Sequence, residues 1–256
     1  MKKLLVVLLV FIVNLSAQND ISKYFEGIDG CFVLYDFNKN EYVRYNEERC
    51  AQRFLPASTF KVPNSIIALE EKIIPDENYI IKWDSVDRGW DKWNTDHNLR
   101  SGIKYSVVWF YQELARRIGR EKYEEYLKNL DYGNKIIGDK EDNFWLDWSL
   151  QISANEQIEF LKKLVKNELP FSQRNIDVVK DIMIVEKGDD YIIRAKTGLG
   201  DTEDGIYTGW YIGYVETNDN VYVFALNMNE TDYEKIKTQV RIDLTKSILK
   251  ELDIIQ

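Results

Sequence analysis

The chain has one histidine, two cysteines and four prolines in 256 residues, and each scarcity closes off a class of chemistry. A zinc hydrolase needs two or three imidazoles or a set of thiolates, and His97 with two cysteines supplies neither. A serine–histidine–acid triad would have to use His97, yet no serine lies in a GxSxG elbow, so His97 reads as a loop residue. Glycine-rich phosphate loops are also missing, which leaves nucleotide chemistry without a site. Positive charge is short: 34 lysines and arginines face 43 aspartates and glutamates, a net charge of −9 that suits no nucleic-acid partner. Internal repeats, low-complexity tracts and Pro- or Gly-rich linkers are lacking, so a division into independent modules has no support.

No apolar run reaches the ~20 residues of a bilayer span. The longest, residues 4–13, follows Lys2 and Lys3 and precedes Ser16-Ala17, the three parts of a secretory signal. A signal peptide over residues 1–17 is therefore expected, with a single catalytic domain over 18–256 exported across the inner membrane to the periplasm. Leu15 fits the cleavage pattern poorly, and an uncleaved anchor is the alternative. Export would permit a disulfide between Cys31 and Cys50. Two buried thiols are the competing reading, because Cys31 begins an apolar strand.

A hydrophobic content of 45%, with 13% aromatics, is ample for a core. β-Branched and aromatic content predicts strands at residues 30–36, 41–45, 191–195, 206–215 and 221–228. Apolar positions three and four apart predict helices at 107–118, 121–130, 155–165 and 172–183, with an amphipathic helix at 234–252 closing the chain and a short one at 21–25 leading it. Residues 75–102 have poor periodicity and three tryptophans, and read as loops and short helices. The expected fold is α+β: an antiparallel sheet of N- and C-terminal strands flanked by the terminal helices, with the middle helices inserted as a second lobe and a cleft between.

Ser58-Thr59-Phe60-Lys61 supplies chemistry for that cleft. If this stretch opens a helix, residues i and i+3 share a face and the Ser58 hydroxyl meets the Lys61 amine. A serine becomes a good nucleophile only when a neighbour removes its proton, and a lysine can do so only after losing its charge. Phe60 and Val62 predict a dry setting, and Pro63 predicts a local distortion, since it has no N–H to bond back to Thr59. The bland alternative is an ordinary helix cap beside a solvated lysine. A second lysine, in Lys196-Thr197-Gly198, directly follows the strand at 191–195, where a cation, a hydroxyl and a glycine could hold an anionic substrate; an exposed strand end is the plain reading of the triplet.

Over nearly the whole mature chain these residues resemble the class D, oxacillinase-type, serine β-lactamases of the penicillin-recognising group. Pro56-Ala57-Ser58-Thr59-Phe60-Lys61-Val62-Pro63-Asn64-Ser65-Ile66 is similar to that family's active-site signature, Ser106-Val107-Val108 to its SxV motif, Tyr132-Gly133-Asn134 to its YGN motif and Lys196-Thr197-Gly198 to its KTG motif. Phe144-Trp145-Leu146 is similar to the segment covering its modified lysine, and Arg241 stands where the family places an arginine. The resemblance implies a β-lactamase/transpeptidase-like fold and hydrolysis of β-lactam antibiotics, without a metal or a separate cofactor. It implies that Ser58 is acylated and that Lys61, carboxylated by carbon dioxide, is the general base. Ser106 would relay a proton to the leaving nitrogen, assisted by Lys196. Val108, Thr197, Gly198 and Leu199 would line the substrate, with the Ser58 and Leu199 amides as an oxyanion hole and Arg241 on the substrate carboxylate. Trp145 would hold the carboxylated lysine, although Trp145 and Trp148 also read as core aromatics, and Tyr132 as structural. Two rivals share the motifs: a penicillin-sensing domain that holds its acyl group, and a peptidoglycan transpeptidase or carboxypeptidase.

Overall fold

The computed structural model describes residues 21–202 and 204–256, so the expected signal at 1–17 lies outside the described residues. A single 3-10 turn, Ser22–Phe25, leads into a hairpin of β1 (Asp29–Asp36) and β2 (Glu41–Tyr45). Helix α1 (Glu47–Ala51) and the two-residue strand β3 (Arg53–Phe54) deliver the chain to a second 3-10 turn, Ala57–Phe60, which runs directly into α2 (Lys61–Glu70). The middle of the chain holds α3 (Leu99–Lys104), α4 (Val108–Ile118), α5 (Arg120–Leu130), β4 (Ile152–Ser153), α6 (Ala154–Lys166) and α7 (Gln173–Ile182). Strands β5 (Ile184–Lys187), β6 (Tyr191–Asp201), β7 (Tyr207–Thr217) and β8 (Val221–Glu230) follow, and α8 (Tyr233–Ile236) and α9 (Thr238–Glu251) close the chain.

The main sheet has the order β2-β1-β8-β7-β6-β5, and its neighbours pair antiparallel, as the α+β reading expects. Alternation along each strand feeds two cores. Val33, Trp210, Ile212, Tyr214, Val223 and Ala225 point toward the helical lobe, while Phe32, Leu34, Tyr211, Phe224 and Leu226 point toward α9 and the leading turn. A sheet covered on both faces explains why β1 and β8 read as nearly unbroken apolar runs. Cys31 and Cys50 are free buried thiols.

Beyond the two-residue strands β3 and β4, the expected and observed elements differ in three ways. Strand β6 does not end at Ala195 but continues to Asp201, so Lys196-Thr197-Gly198 lies inside it. Two glycines and a lysine weaken the strand signal there. Gly198 has a specific reason: a Cβ would stand 2.9 Å from the Pro56 carbonyl oxygen and 3.1 Å from Thr59 Cγ2, so only glycine lets the strand lie against the Ser58 turn. The closing helix is two helices, broken at Lys237, whose ψ of 159° is extended. Finally, α1 and β5 escaped the pattern reading, the first because five residues carry no period. The second is a half-exposed edge strand with a bulge between Ile184 and Glu186. Pro63 is the third residue of α2, within the first turn, where a missing N–H costs nothing.

Phe60 joins this core to the cleft. It is fully buried, with Tyr123, Tyr132, Phe144 and Trp145 around it at ring distances of 5.1–6.0 Å. Phe60→Ala should cost about 3–5 kcal/mol, seen as a fall in thermal midpoint of roughly 6–20 °C for a chain of this size. A midpoint unchanged within 2 °C, or thereabouts, would contradict this packing.

Candidate active site

The Ser58 turn is held from three sides. Ala57 donates its N–H to the Trp145 carbonyl at 3.1 Å with its own backbone in the left-handed region (φ 47°), and Thr59 Oγ1 donates to the Pro56 carbonyl at 2.7 Å. Gln157, from α6, donates to Thr59 Oγ1 at 3.0 Å. Left-handed backbone costs a non-glycine residue on the order of 1 kcal/mol or more, and these contacts hold it.

Directly after the turn, the Lys61 amine lies 2.8 Å from Ser58 Oγ, the meeting that the three-residue spacing predicts. Lys61 is buried, 1% exposed. Its pKa falls well below the usual lysine range, first because burial penalises the ammonium and second because the Lys196 charge is close. A neutral amine has a lone pair, so the same 2.8 Å contact can carry the Ser58 proton toward nitrogen.

Two residues packed around Lys61, Tyr111 and Ser65, were given no role by the sequence. Tyr111 of α4 places its ring 5.3 Å from Nζ, and its hydroxyl bonds Ser65 Oγ at 2.9 Å. Ser65 in turn donates to the Lys61 carbonyl at 2.7 Å, the back-bond to residue i−4 that a serine inside a helix can make. Only that serine, four residues after Lys61, could have been noticed beforehand.

Ser106 repeats the serine–lysine pairing. It sits between α3 and α4 with a left-handed φ of 54°, and Lys196 reaches from β6 to donate to Ser106 Oγ at 3.1 Å and to the Thr197 carbonyl at 2.8 Å. Lys196 is buried, and burial followed by the Arg241 charge brings its pKa down to about 7. It therefore exchanges a proton near neutrality. Val108 begins α4, just beyond Ser106.

β6 presents a free edge to this cleft. Pairing with β5 ends where Ala195 donates its N–H to the Met183 carbonyl. In an antiparallel strand the backbone groups of alternate residues point to the same side, so those of Thr197 and Leu199 face that edge, beside the Ser58 turn.

Arg241 lies behind the strand, 1% exposed. Its Nη1 donates to the Gly198 and Trp210 carbonyls, its Nε to the Ile236 carbonyl and its Nη2 to Thr238 Oγ1. Four of its five N–H groups are thereby used, and burial lowers its pKa to about 10. Gly209 makes room, since a Cβ there would meet Arg241 Cδ at 2.7 Å.

Trp145 is fully buried and stacks on Phe60 at 5.5 Å, and its indole N–H has no acceptor among the described residues. Trp148 instead donates to the Asp201 carbonyl at 2.9 Å, tying its segment to the end of β6. Tyr132 packs between Phe60 and Phe160. His97 is fixed in its loop, its ring nitrogens bonded to Ser101 Oγ and the Lys92 carbonyl, and burial lowers its pKa. No group of three or more metal-ligating side chains occurs among the described residues.

A sequence model of the penicillin-binding-protein transpeptidase domain matches residues 30–250. The β-lactamase OXA-48 of Klebsiella pneumoniae is 46% identical over 226 residues, 88% of this chain and 84% of that protein. The regulatory protein BlaR1 of Bacillus licheniformis is 39% identical over 82% of this chain, a stretch that makes up 35% of BlaR1. Among solved structures, the class D β-lactamase YbXI from Nostoc superposes with a TM-score of 0.89 at 42% identity, covering 92% of this chain and 99% of that one.

The depressed Lys196 pKa has a stability consequence. Between about pH 7 and the ordinary lysine value near 10 the unfolded chain binds a proton that the folded one does not, so stability should rise with pH across that window. Lys196→Met, which fills the same volume, should flatten the rise in urea midpoint between pH 7 and 10. Equal slopes in both proteins would show that Lys196 is charged throughout.

Proposed function

The chain belongs to the class D serine β-lactamases, and from that premise we propose that it destroys β-lactam antibiotics through an acyl-enzyme on Ser58, giving resistance. The observation that supports this most is the buried Lys61 amine 2.8 Å from Ser58 Oγ, its pKa driven down by that burial. Ser58 Oγ attacks the ring carbonyl carbon while its proton passes to the Lys61 side chain. The oxygen that gains charge accepts from the Ser58 and Leu199 amides, an arrangement in which losing one donor costs ~10²-fold or more in rate. The ring C–N bond then breaks, and its nitrogen takes a proton from Ser106, replenished by Lys196. A pKa of about 7 suits Lys196 to give and regain that proton near neutrality. Once the proton on Lys61 has passed through solvent to the Lys196 amine left neutral, the Lys61 side chain takes a proton from water; the hydroxide adds to the ester carbonyl, and that proton passes to Ser58 Oγ as the C–O bond breaks.

The residues around Lys61 fit its modification by carbon dioxide. Only a neutral amine attacks carbon dioxide, and the buried, acceptor-less Trp145 indole N–H is a donor that an added carboxylate would satisfy. When bound, the group supplies a carboxylate base in place of an amine. Val108, Thr197 and Gly198 line the ring, and Arg241 contributes its one remaining Nη2 proton to the substrate carboxylate, a single bond and not a two-pronged clamp. The protein acts as the domain 18–256 after export to the periplasm.

The Ser58→Ala protein should fold normally, gain no oxacillin mass in intact-protein spectrometry and lose nitrocefin turnover by at least about a thousandfold, the scale of removing a nucleophile. An adduct persisting on that variant would overturn the assignment. A wild-type protein that acylates once and does not turn over would instead favour a sensor of the BlaR1 kind.

A further inference from the structure

Where β5 parts from β6, a cavity of about 510 Å³ opens beside the cleft. It shares Lys196 and Thr197 with the site described above, and Ile103, Ile184 and Val185 give it apolar walls. Val185 is 56% exposed on the strand edge. Two cations of α3, Arg100 and Lys104, also line it. They are not equivalent. Arg100 is matched by Glu77 at 3.0 Å and by Asp181 at 2.7 Å. Lys104 is exposed and has no ion pair among the described residues; its amine lies 5.5 Å from the Tyr105 ring centroid. The cavity is thus an apolar slot with two cations that no carboxylate pairs among the described residues: Lys196, which the steps above use, and Lys104, which they do not.

Its position relative to the reacting atoms gives it an occupant. A β-lactam with its carbonyl at Ser58 and Leu199 and its ring nitrogen at Ser106 must direct its fused ring along β6 from Leu199 toward Thr197 and Ala195. A substituent at the far end of that ring leads into the cavity. Penicillins have only methyl groups there, whereas cephalosporins bear an extended arm. We propose that this cavity is a subsite for the leaving-side arm of cephalosporin-type β-lactams, and that it selects an apolar arm ending in an anion, matched by Lys104. The proposal rests on the acyl-enzyme reading of Ser58. A volume within the ~300–1,000 Å³ of small-molecule pockets is sufficient for such an arm.

Cefamandole and cefonicid provide a matched pair: their acylamino side chains are the same, and their tetrazole arms differ in a methyl against a sulfomethyl group. The quantity to measure is the ratio of kcat/KM for cefonicid to that for cefamandole, or of adduct-formation rates where the acyl-enzyme accumulates. A general loss of activity cancels in this ratio. Wild-type protein at low ionic strength should favour cefonicid, and Lys104→Glu should lower the ratio by about three- to tenfold, with Lys104→Met between, as expected for an exposed charge pair. Added salt should shrink the wild-type preference. A ratio that is the same in wild type and Lys104→Glu at low salt would overturn the subsite. Failure of benzylpenicillin, which has no such arm, to acylate wild-type protein would overturn the underlying reading of Ser58 instead.

Discussion

A lysine driven toward its uncharged form by burial is the constraint on which the rest of this molecule depends. Burying an ammonium without a counter-ion is costly enough to drive the group toward giving up its proton, and Lys61 has no carboxylate beside it among the described residues. The apolar surroundings that enforce this are the same ones that build the helical lobe: Phe60 and Val62 on either side in sequence, Tyr111 beneath, and Trp145 stacked on Phe60. Core packing and reactivity are therefore coupled here. The ring cluster that stabilises the lobe also sets the protonation state of the amine next to Ser58.

Three cations converge on the cleft, and the protein separates their roles by environment. Burial pushes Lys61 toward its neutral form, Lys196 titrates near neutrality, and Arg241 stays charged by donating to backbone carbonyls and a threonine hydroxyl. The charges depress one another in sequence, with Arg241 lowering Lys196 and Lys196 lowering Lys61. Pairs of titratable groups driven to different pKa values are how one site runs both acid and base steps at a single pH. In this sheet the separation requires two close backbone approaches, at Gly198 against the Ser58 turn and at Gly209 over the Arg241 side chain.

Much of this could be read from the sequence because the spacing that matters is local. A spacing of three from Ser58 to Lys61 fixes their meeting in any helical turn, and apolar periodicity located α4 to α7 within a residue or two. The antiparallel sheet followed from strands at both ends of the chain. What stayed hidden depends on long-range packing. Lys196-Thr197-Gly198 looked like the end of a strand because its glycine weakens strand propensity, and only the nearness of Pro56 and Thr59 shows why glycine is there. Arg241 was expected on the substrate carboxylate, and its engagement by the Ile236, Gly198 and Trp210 carbonyls depends on helix-to-sheet packing that no local spacing reveals. Tyr111 was indistinguishable from any other core aromatic until its ring was found under Lys61.

The reactive state of Lys61 is open to direct observation. Protein equilibrated with carbon-13-labelled bicarbonate should show one protein-bound carbamate resonance that disappears in Lys61→Ala, weakens in Trp145→Ala and is lost reversibly on mild acidification together with nitrocefin turnover. Absence of that resonance in a fully active enzyme, whose rate is the same in degassed and bicarbonate-supplemented buffer, would mean that Lys61 works as a free amine and would contradict the role assigned to its pocket.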